Sequence, residues 1–285
     1  MVKLVDTKDL KSLPFGSASS SLAEGTKMSM IKFHFTFDKT KKAQVLKKKI
    51  LFMYNNYPAK KADIIVVGGG DGYMLSSLKK YENFKKPFYG INCGTYGFLM
   101  NSYSRGDLEK KITLAKKIYI KPLYVQAKTN KFIKKILAIN EVSLFRQSRQ
   151  TASISIKIDN KVILKKLIGD GILVSTPAGS TAYNLSVDGP VMSLNSKNLA
   201  LTPISPFRPR RWKGRLVSNK KKIKIINRDP LKRPIAAVAD NIEIRNIKSI
   251  DIRISKEITF CLLYKKNTSL TKKIKLEQKR QNTIR

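Results

Sequence analysis

The chain has 285 residues, of which 42% are hydrophobic, so it can form one large or two ordinary globular domains with a substantial core. Charged residues or Asn interrupt every long apolar stretch, and the two cysteines, Cys93 and Cys261, lie far apart, so no membrane span, signal peptide or disulfide framework is predicted. The 58 Lys and Arg against 19 Asp and Glu give a formal charge of +39.

This charge has two interpretations, a nucleic-acid partner or the Lys, Ile and Asn bias that an AT-rich genome encodes. The lysines are spread along the chain and are not interleaved with aromatic residues as in a base-stacking surface, which favours the second. We therefore expect neither a nucleic-acid nor a membrane partner. The low cysteine content predicts a reducing, cytoplasmic location.

Residues 1–27 are rich in Ser, Gly and Lys and show no periodicity, which predicts a disordered extension. Strands and helices then alternate over residues 28–121. The pattern predicts strands at 31–37, 64–67 and 87–92 and helices at 39–57 and 72–81. Such alternation is typical of a Rossmann-like α/β domain with a parallel sheet, which binds ligands at the carboxyl ends of its strands.

From residue 122 to 262 helical periods become scarce and short strands follow one another. Strands are predicted at 123–129, 131–140, 153–158, 161–167, 172–175, 222–226 and 242–245. This pattern predicts an all-β, sandwich-like second domain. Residues 263–285 are polar and predict a tail or a helix returning to the first domain.

A glycine-rich turn, residues 68–72, directly follows the predicted strand at 64–67 and carries one carboxylate, Asp71. Glycine allows positive φ and a close approach to a ligand, so the amides of Gly68, Gly69 and Gly70 could hold a phosphate beside Asp71. Alternatively, Asp71 is only the N-cap of the next helix. The pentapeptide alone does not separate these interpretations.

The second informative stretch is 169–190, where a strand runs into a loop of small hydroxyl residues. The hydroxyl residues that could donate to a phosphate or a ribose are Ser175, Thr176, Ser180, Thr181 and Ser186. Tyr183 offers a face for a base, and Asp170 could accept from a ligand. A capped helix start with Tyr183 in the core is the alternative, and it would be favoured if the stretch stood alone.

Four motifs occur in order, at 68–72, 92–99, 140–141 and 169–190, and together they resemble the NAD kinase family over nearly all of residues 30–265. The resemblance implies transfer of the γ-phosphoryl of ATP, or of polyphosphate, to the 2′-hydroxyl of the adenosine ribose of NAD. It also implies a divalent cation, Mg²⁺, that arrives with ATP and has no assigned protein side chain as ligand. A homodimer or homotetramer is expected.

The same resemblance implies roles for individual residues. Asp71 would accept the ribose proton, Gly72 would contact that sugar, and Asn92 would support the nucleotide side. Residues matching the family's NAD contacts are Asn140, Glu141, Asp170, Ala178, Thr181, Ala182, Tyr183, Asn184, Leu185, Ser186 and Ser205. Residues 28–121 would then bind the nucleotide and residues 122–262 the NAD.

Some positions depart from the family pattern. Tyr73 and Ala178 stand where many members have Thr, and near Ala239-Asp240-Asn241 the family often has Asp-Gly-Gln, so the contact of the missing Gln is unassigned. Lipid kinases and phosphofructokinases share the glycine turn, and an RNA-binding protein on a degenerate kinase scaffold is a non-enzymatic alternative. The block from Ser175 to Tyr183 and the Asn140-Glu141 pair point to a dinucleotide rather than a lipid or a sugar phosphate. The joint retention of Asp71, Asn140, Asp170 and Tyr183 counts against the non-enzymatic alternative.

Overall fold

The computed structural model describes residues 31–104, 106–265, 272, 273 and 275, so the predicted extension at 1–27 lies outside the described residues. The helices of the described residues are α1 (Lys41–Met53), α2 (Asp71–Lys80), α3 (Leu108–Thr113) and α4 (Tyr183–Ser186). Their strands are β1 (Phe33–Phe37), β2 (Ile64–Gly69), β3 (Phe88–Asn92), β4 (Asn101–Ser102), β5 (Lys116–Ile120), β6 (Leu123–Lys128), β7 (Ile133–Ala138), β8 (Glu141–Arg146), β9 (Ala152–Ile158), β10 (Lys161–Gly169), β11 (Gly171–Ser175), β12 (Asn198–Ile204), β13 (Arg215–Ser218), β14 (Ile223–Asn227), β15 (Ile235–Ala239), β16 (Ile242–Ile244), β17 (Ser249–Ile254) and β18 (Phe260–Tyr264). None of the described helices is both long and apolar enough to cross a bilayer.

The first sheet has the order β1-β2-β3-β18-β5, with β4 paired to β3. Strands β1, β2, β3 and β18 are parallel, and β5 is antiparallel to β18. Strand β2 is buried at all six positions. Because side chains alternate along a strand, Ile65 and Val67 pack with α2 on one face, while Ile64 and Val66 pack with α1 on the other.

Helix α1 lies on this sheet through Ala43, Leu46 and Ile50, which recur at helical spacing and are buried. The predicted strands and helices of residues 31–92 are all confirmed, with one shorter than expected: α1 ends at Met53, not at residue 57. Both predicted turns lie at the carboxyl edge of the parallel strands, because Gly69 at the end of β2 pairs directly with Asn92 at the end of β3.

Two further six-stranded sheets are antiparallel, with orders β10-β9-β14-β17-β6-β7 and β13-β12-β11-β8-β15-β16. Buried aliphatic side chains of both sheets form one core cluster; Ile154 and Ile225 come from one sheet, Val142 and Val174 from the other. The seven strands predicted after residue 122 are confirmed. The strands that the pattern did not predict are β4, β5, β8, β12, β13, β15, β17 and β18.

After these two sheets the chain returns to the first sheet as β18, which lies between β3 and β5. Residues 263 and 264, predicted as the start of a tail or helix, therefore end a strand. Most of the rest of that segment lies outside the described residues.

Candidate active site

Asp71 is the first residue of α2, at the carboxyl edge of the parallel strands. The N-cap is Gly70, which makes no side-chain cap, so the interpretation of Asp71 as the N-cap is wrong. The Asp71 carboxylate instead accepts the Phe98 N–H at 2.7 Å and the Leu99 N–H at 2.8 Å. Burial raises the pKa of Asp71, while these two hydrogen bonds and the charge of Lys273 act in the opposite direction.

The glycines around Asp71 differ in what surrounds them. None of Gly68, Gly69, Gly70 and Gly72 has positive φ, so the turn does not use the left-handed backbone that glycine allows. At Gly68 a Cβ would lie 2.5 Å from Phe37 Cδ1, which explains that glycine by packing. At Gly70 and Gly72 a Cβ would meet no atom within 4 Å, so neither internal packing nor φ requires glycine there, and the backbone faces open space.

Asn92 holds the loop that follows β3. Its Oδ1 accepts the Gly94 N–H at 3.0 Å, its Nδ2 donates to the Gly94 carbonyl at 3.3 Å, and a Cβ on Gly97 would lie 2.8 Å from its Cγ. Asn92 therefore shapes the loop that carries the amides of Phe98 and Leu99.

Asp240 connects α2 to the start of β8. Its carboxylate, 3% exposed, accepts the Ile139 N–H at 2.8 Å and the Asn140 N–H at 2.9 Å, and pairs with Lys79 Nζ at 2.8 Å. Lys79 lies in the last turn of α2. Asp240 thus fixes the backbone of Asn140 against the helix that begins with Asp71.

Two side-chain oxygen atoms next to each other in sequence, Asn140 Oδ1 and Glu141 Oε2, are buried and have no hydrogen-bond partner among the described residues. Burial, and secondarily the charge of Asp240, raises the pKa of Glu141 to about 8. A buried polar atom without a partner costs on the order of 1–3 kcal/mol, which a bound ligand can recover.

Asp170 and Tyr183 lie toward the other end of β8. Asp170 pairs with Arg146 Nε at 2.5 Å, and its carboxylate is 38% exposed. The ring of Tyr183 packs at 5.7 Å from that of Phe145, between centroids. Burial raises the pKa of Tyr183, and the charges of Asp170 and Glu141 add to this, so Tyr183 lies between these two carboxyl groups and within electrostatic reach of each.

The loop after β11 is built largely from its own contacts. Gly179 packs on Asn140, whose carbonyl oxygen would lie 2.2 Å from a Cβ there. Asn184 is fully buried, with its Oδ1 accepting the Thr202 hydroxyl at 2.8 Å and its Nδ2 donating to the Pro190 carbonyl at 3.0 Å. Its amide therefore supports the loop.

The remaining predicted residues of this region are distributed around that loop. Ala178 is 4% exposed and packs in the core beside α2, and Thr181 is 7% exposed. Ala182 and Leu185 are half-buried, and Ser186 is exposed. Ser205 is exposed, with φ 46°, and its carbonyl lies against Gly169, next to Asp170.

The predicted residues therefore form two groups linked by α2. Asp71 and the glycine turn lie at its first residue, and Lys79, eight residues or about 12 Å further along the helix axis, connects through Asp240 to the Asn140 group. Glu141 pairs with Ser175 and Gly171 with Phe145, so Glu141 and Asp170 stand about 17 Å apart along β11. This shape suits an extended ligand.

Two negative observations delimit the site. Within the described ranges no three His, Cys, Asp or Glu side chains cluster as a metal site would require. A groove of about 810 Å³ between α1 and the loop before α3 is lined by Phe52, Met53 and Tyr103 among others, and by none of the predicted site residues.

Sequence reasoning missed Lys273, Tyr264, Lys79 and Arg146 as partners of the predicted residues. Lys273 and Lys79 had no distinguishing signal among 58 basic residues. Asp240 had a signal in the sequence, because it lies in a segment that matches the family pattern in part. Nothing in the neighbouring residues indicated that its carboxylate binds the backbone of Asn140.

A family model and curated relatives that match this chain all describe NAD kinases. The family model for the ATP-NAD kinase C-terminal domain matches residues 139–259. The NAD kinase of Zymomonas mobilis subsp. mobilis is 44% identical over 242 residues, covering 84% of this chain and 94% of the relative. That of Brucella melitensis biotype 1 is 44% identical over 253 residues, covering 88% and 98%.

Two solved structures are also similar. An NAD kinase from Archaeoglobus fulgidus in complex with ATP matches with a TM-score of 0.63 and 25% identity, covering 83% of this chain and 94% of that one. Yeast NADH kinase complexed with NADH matches with a TM-score of 0.65 and 24% identity, covering 78% of this chain and 68% of that one, which shows a shared fold.

Proposed function

This chain belongs to the NAD kinase family, and we propose on that premise that it transfers the γ-phosphoryl group of ATP to the 2′-hydroxyl of the adenosine ribose of NAD, producing NADP. It is thus a phosphotransferase with an alcohol acceptor. In the reaction a bond forms between the ribose oxygen and the γ-phosphorus, the bond to ADP breaks, and the hydroxyl proton must go to a base.

The observation that carries this proposal is the pair of buried, unpartnered atoms Asn140 Oδ1 and Glu141 Oε2. They lie near Tyr183, and the backbone that carries them is fixed by the hydrogen bond from the Asn140 N–H to the Asp240 carboxylate. We assign these two side chains to the NAD. Tyr183 would pack on a ring of the dinucleotide, and Asp170 would accept a hydrogen bond from its far end.

Asp71 is the base in this proposal. A carboxylate can accept about four hydrogen bonds, and two are used by the amides of Phe98 and Leu99, so each oxygen keeps capacity for the ribose hydroxyl. Burial raises the pKa of Asp71, which brings this base closer to the operating pH and makes it a better proton acceptor. The open space at Gly72 supports contact with the same sugar.

The phosphate side is assigned to the glycine turn and the first turn of α2. The first N–H groups of a helix have no partner within it and favour an anion, and Gly70 leaves the approach open. Mg²⁺ is proposed to arrive on the nucleotide phosphates, because it binds proteins through few carboxylates and retains water and phosphate ligands. When bound it would neutralise phosphate charge. Polyphosphate is the alternative donor.

Several coarser expectations complete the proposal. We propose an α/β nucleotide domain at 28–121 and a β-sandwich domain at 122–262, supported by the one core cluster that the two antiparallel sheets share. Ile139, Ala178 and β18 pack with the first sheet instead, so these parts of 122–262 join the two domains. A cytoplasmic location is supported by the free thiols of Cys93 and Cys261. We also propose a homodimer or homotetramer, on the resemblance alone.

The test is NADP formation from ATP, Mg²⁺ and NAD by the wild type, Asp71→Asn and a matched control, Asp63→Asn, whose carboxylate is exposed. We expect turnover by the wild type and the control and a loss of about 10²-fold or more for Asp71→Asn, with circular dichroism verifying the fold. No NADP from the wild type would overturn the function. Equal rates for all three proteins would overturn only the role of Asp71.

A further inference from the structure

Lys273, from the C-terminal segment, is bound to the loop that holds Asp71. Its Nζ donates to the carbonyls of Gly97, Phe98 and Met100, each at 2.7 Å. The ring of Tyr264 lies 5.0 Å from the same Nζ, and the Tyr264 hydroxyl donates to the Phe98 carbonyl at 2.8 Å. This lysine therefore uses all three of its donors on one short loop.

Two of those carbonyls belong to the peptide units whose amides hold Asp71. The Gly97 carbonyl shares a peptide with the Phe98 N–H, which donates to Asp71 Oδ2. The Phe98 carbonyl shares a peptide with the Leu99 N–H, which donates to Asp71 Oδ1. Two peptide groups thus stand between an ammonium and a carboxylate, each with its oxygen toward the lysine and its N–H toward the aspartate.

This arrangement has an electrostatic consequence. A peptide group whose carbonyl binds a cation is polarised and donates more strongly through its N–H, because hydrogen bonds in series strengthen one another. Both bonds to Asp71 favour its charged form and fix the position of both oxygens. Loss of the ammonium would weaken the two donors together.

We propose that Lys273 is a positioning residue for the reaction: through the 97–98 and 98–99 peptides it orients the Asp71 carboxylate and keeps it ionised. This rests on the proposed role of Asp71 as the base. Lys273 touches neither substrate in this scheme and acts only through Asp71.

The protonation states of the two residues are coupled. Burial lowers the pKa of Lys273 to about 8, with Asp71 opposing the shift. The other titratable groups near Lys273 are Tyr264, over whose ring it lies, and Tyr96, which lines the same small cavity. Since Lys273 favours the charged carboxylate, removing its charge should raise the pKa of Asp71, so the base would lose its proton only at higher pH.

The experiment compares kcat and kcat/KM for NAD across pH in the wild type and Lys273→Gln, which keeps an amide donor but no charge. Lys275→Met, at an exposed position of the same segment, is the matched control and should behave as wild type. We expect Lys273→Gln to lower kcat by about 10-fold or more and to move the acidic limb of kcat/KM upward by about 0.5–1.5 pH units, from Coulomb coupling at roughly 7 Å.

Tyr264→Phe removes a donor from the same Phe98 carbonyl without removing a charge, so the acidic limb of its kcat/KM profile should stay in place. This variant also supplies a second measurement if Lys273→Gln does not fold. A displaced limb in Tyr264→Phe would overturn the proposal, because loop geometry alone would then move it. So would a fall in kcat for folded Lys273→Gln with an unmoved limb. An inactive wild type would instead overturn the proposed function.

Discussion

Asp240→Asn tests how the NAD side of the site is held. Asp240 Oδ2 binds both the Ile139 N–H and Lys79, and Oδ1 binds the Asn140 N–H. The asparagine keeps the contacts with the Ile139 N–H and Lys79 when its oxygen occupies the former Oδ2 position. Its NH₂ group then faces the Asn140 N–H, so the substitution breaks the bond that fixes Asn140 and removes the counterion of Lys79.

The magnitude follows from these contacts. Loss of a hydrogen bond to a charged group costs about 1.5–3 kcal/mol, and breaking a buried ion pair from one side costs about 3–5 kcal/mol. Lys79 Nζ is itself buried, but the side chain is flexible and 22% exposed along its length, so it can turn toward water once Asp240 loses its charge, and we expect a loss at the lower end of the second range, about 3 kcal/mol. Because Asn140 loses its support, the KM for NAD should rise about tenfold, which corresponds to about 1.4 kcal/mol.

The assay is urea unfolding followed by the fluorescence of Trp212, which packs on the core of the two antiparallel sheets, at one protein concentration for all variants. Lys79→Met is the partner variant, expected to cost about 3 kcal/mol, because it leaves the buried Asp240 carboxylate with its two amide donors but without its counterion. The double variant should cost at least about 1 kcal/mol less than the sum of the two single changes. Additive costs, or a loss below about 1 kcal/mol for Asp240→Asn, would refute the reasoning.

Two further predictions concern the glycines and Glu141. Gly72→Ala should keep or slightly raise the free energy of unfolding, because a Cβ there meets no atom within 4 Å, yet it should lower kcat/KM about tenfold. Gly179→Ala should lower the free energy of unfolding by about 1–3 kcal/mol, because its Cβ would lie 2.2 Å from the Asn140 carbonyl oxygen. Equal stability and activity in both variants would contradict this. Glu141→Gln resembles the protonated carboxyl that a pKa of about 8 implies, so kcat/KM for NAD should match the wild type near neutral pH and diverge above about pH 8, where only the wild type gains a charge. A large difference at neutral pH would be the contrary result.

The local pattern of the sequence predicted much of the first sheet and part of the other two. Residues 64–67 read as a buried strand, and β2 is buried at every position. The pattern missed strands such as β8, which begins at Glu141, and β12, which contains Pro203. These segments become strands because neighbours across the sheet satisfy their backbone groups, and periodicity does not record those neighbours.

For the site, the sequence located the glycine turn, the Asn140 pair and the 169–190 loop, because each is a short run of special residue types. It left Asp71 between an N-cap and a functional carboxylate. The structure decided against the N-cap, since the partners of Asp71 come from Phe98 and Leu99.

What the sequence determined by itself is therefore local: strand and helix periods, the motifs, and through them the family. Which groups surround a side chain was decided only by tertiary structure. Lys273 lies about 200 residues from Asp71 and is one of 58 basic residues, yet it binds the loop that holds that carboxylate. The physical reason is that β18 returns between β3 and β5, bringing the C-terminal segment to the edge where the glycine turn lies.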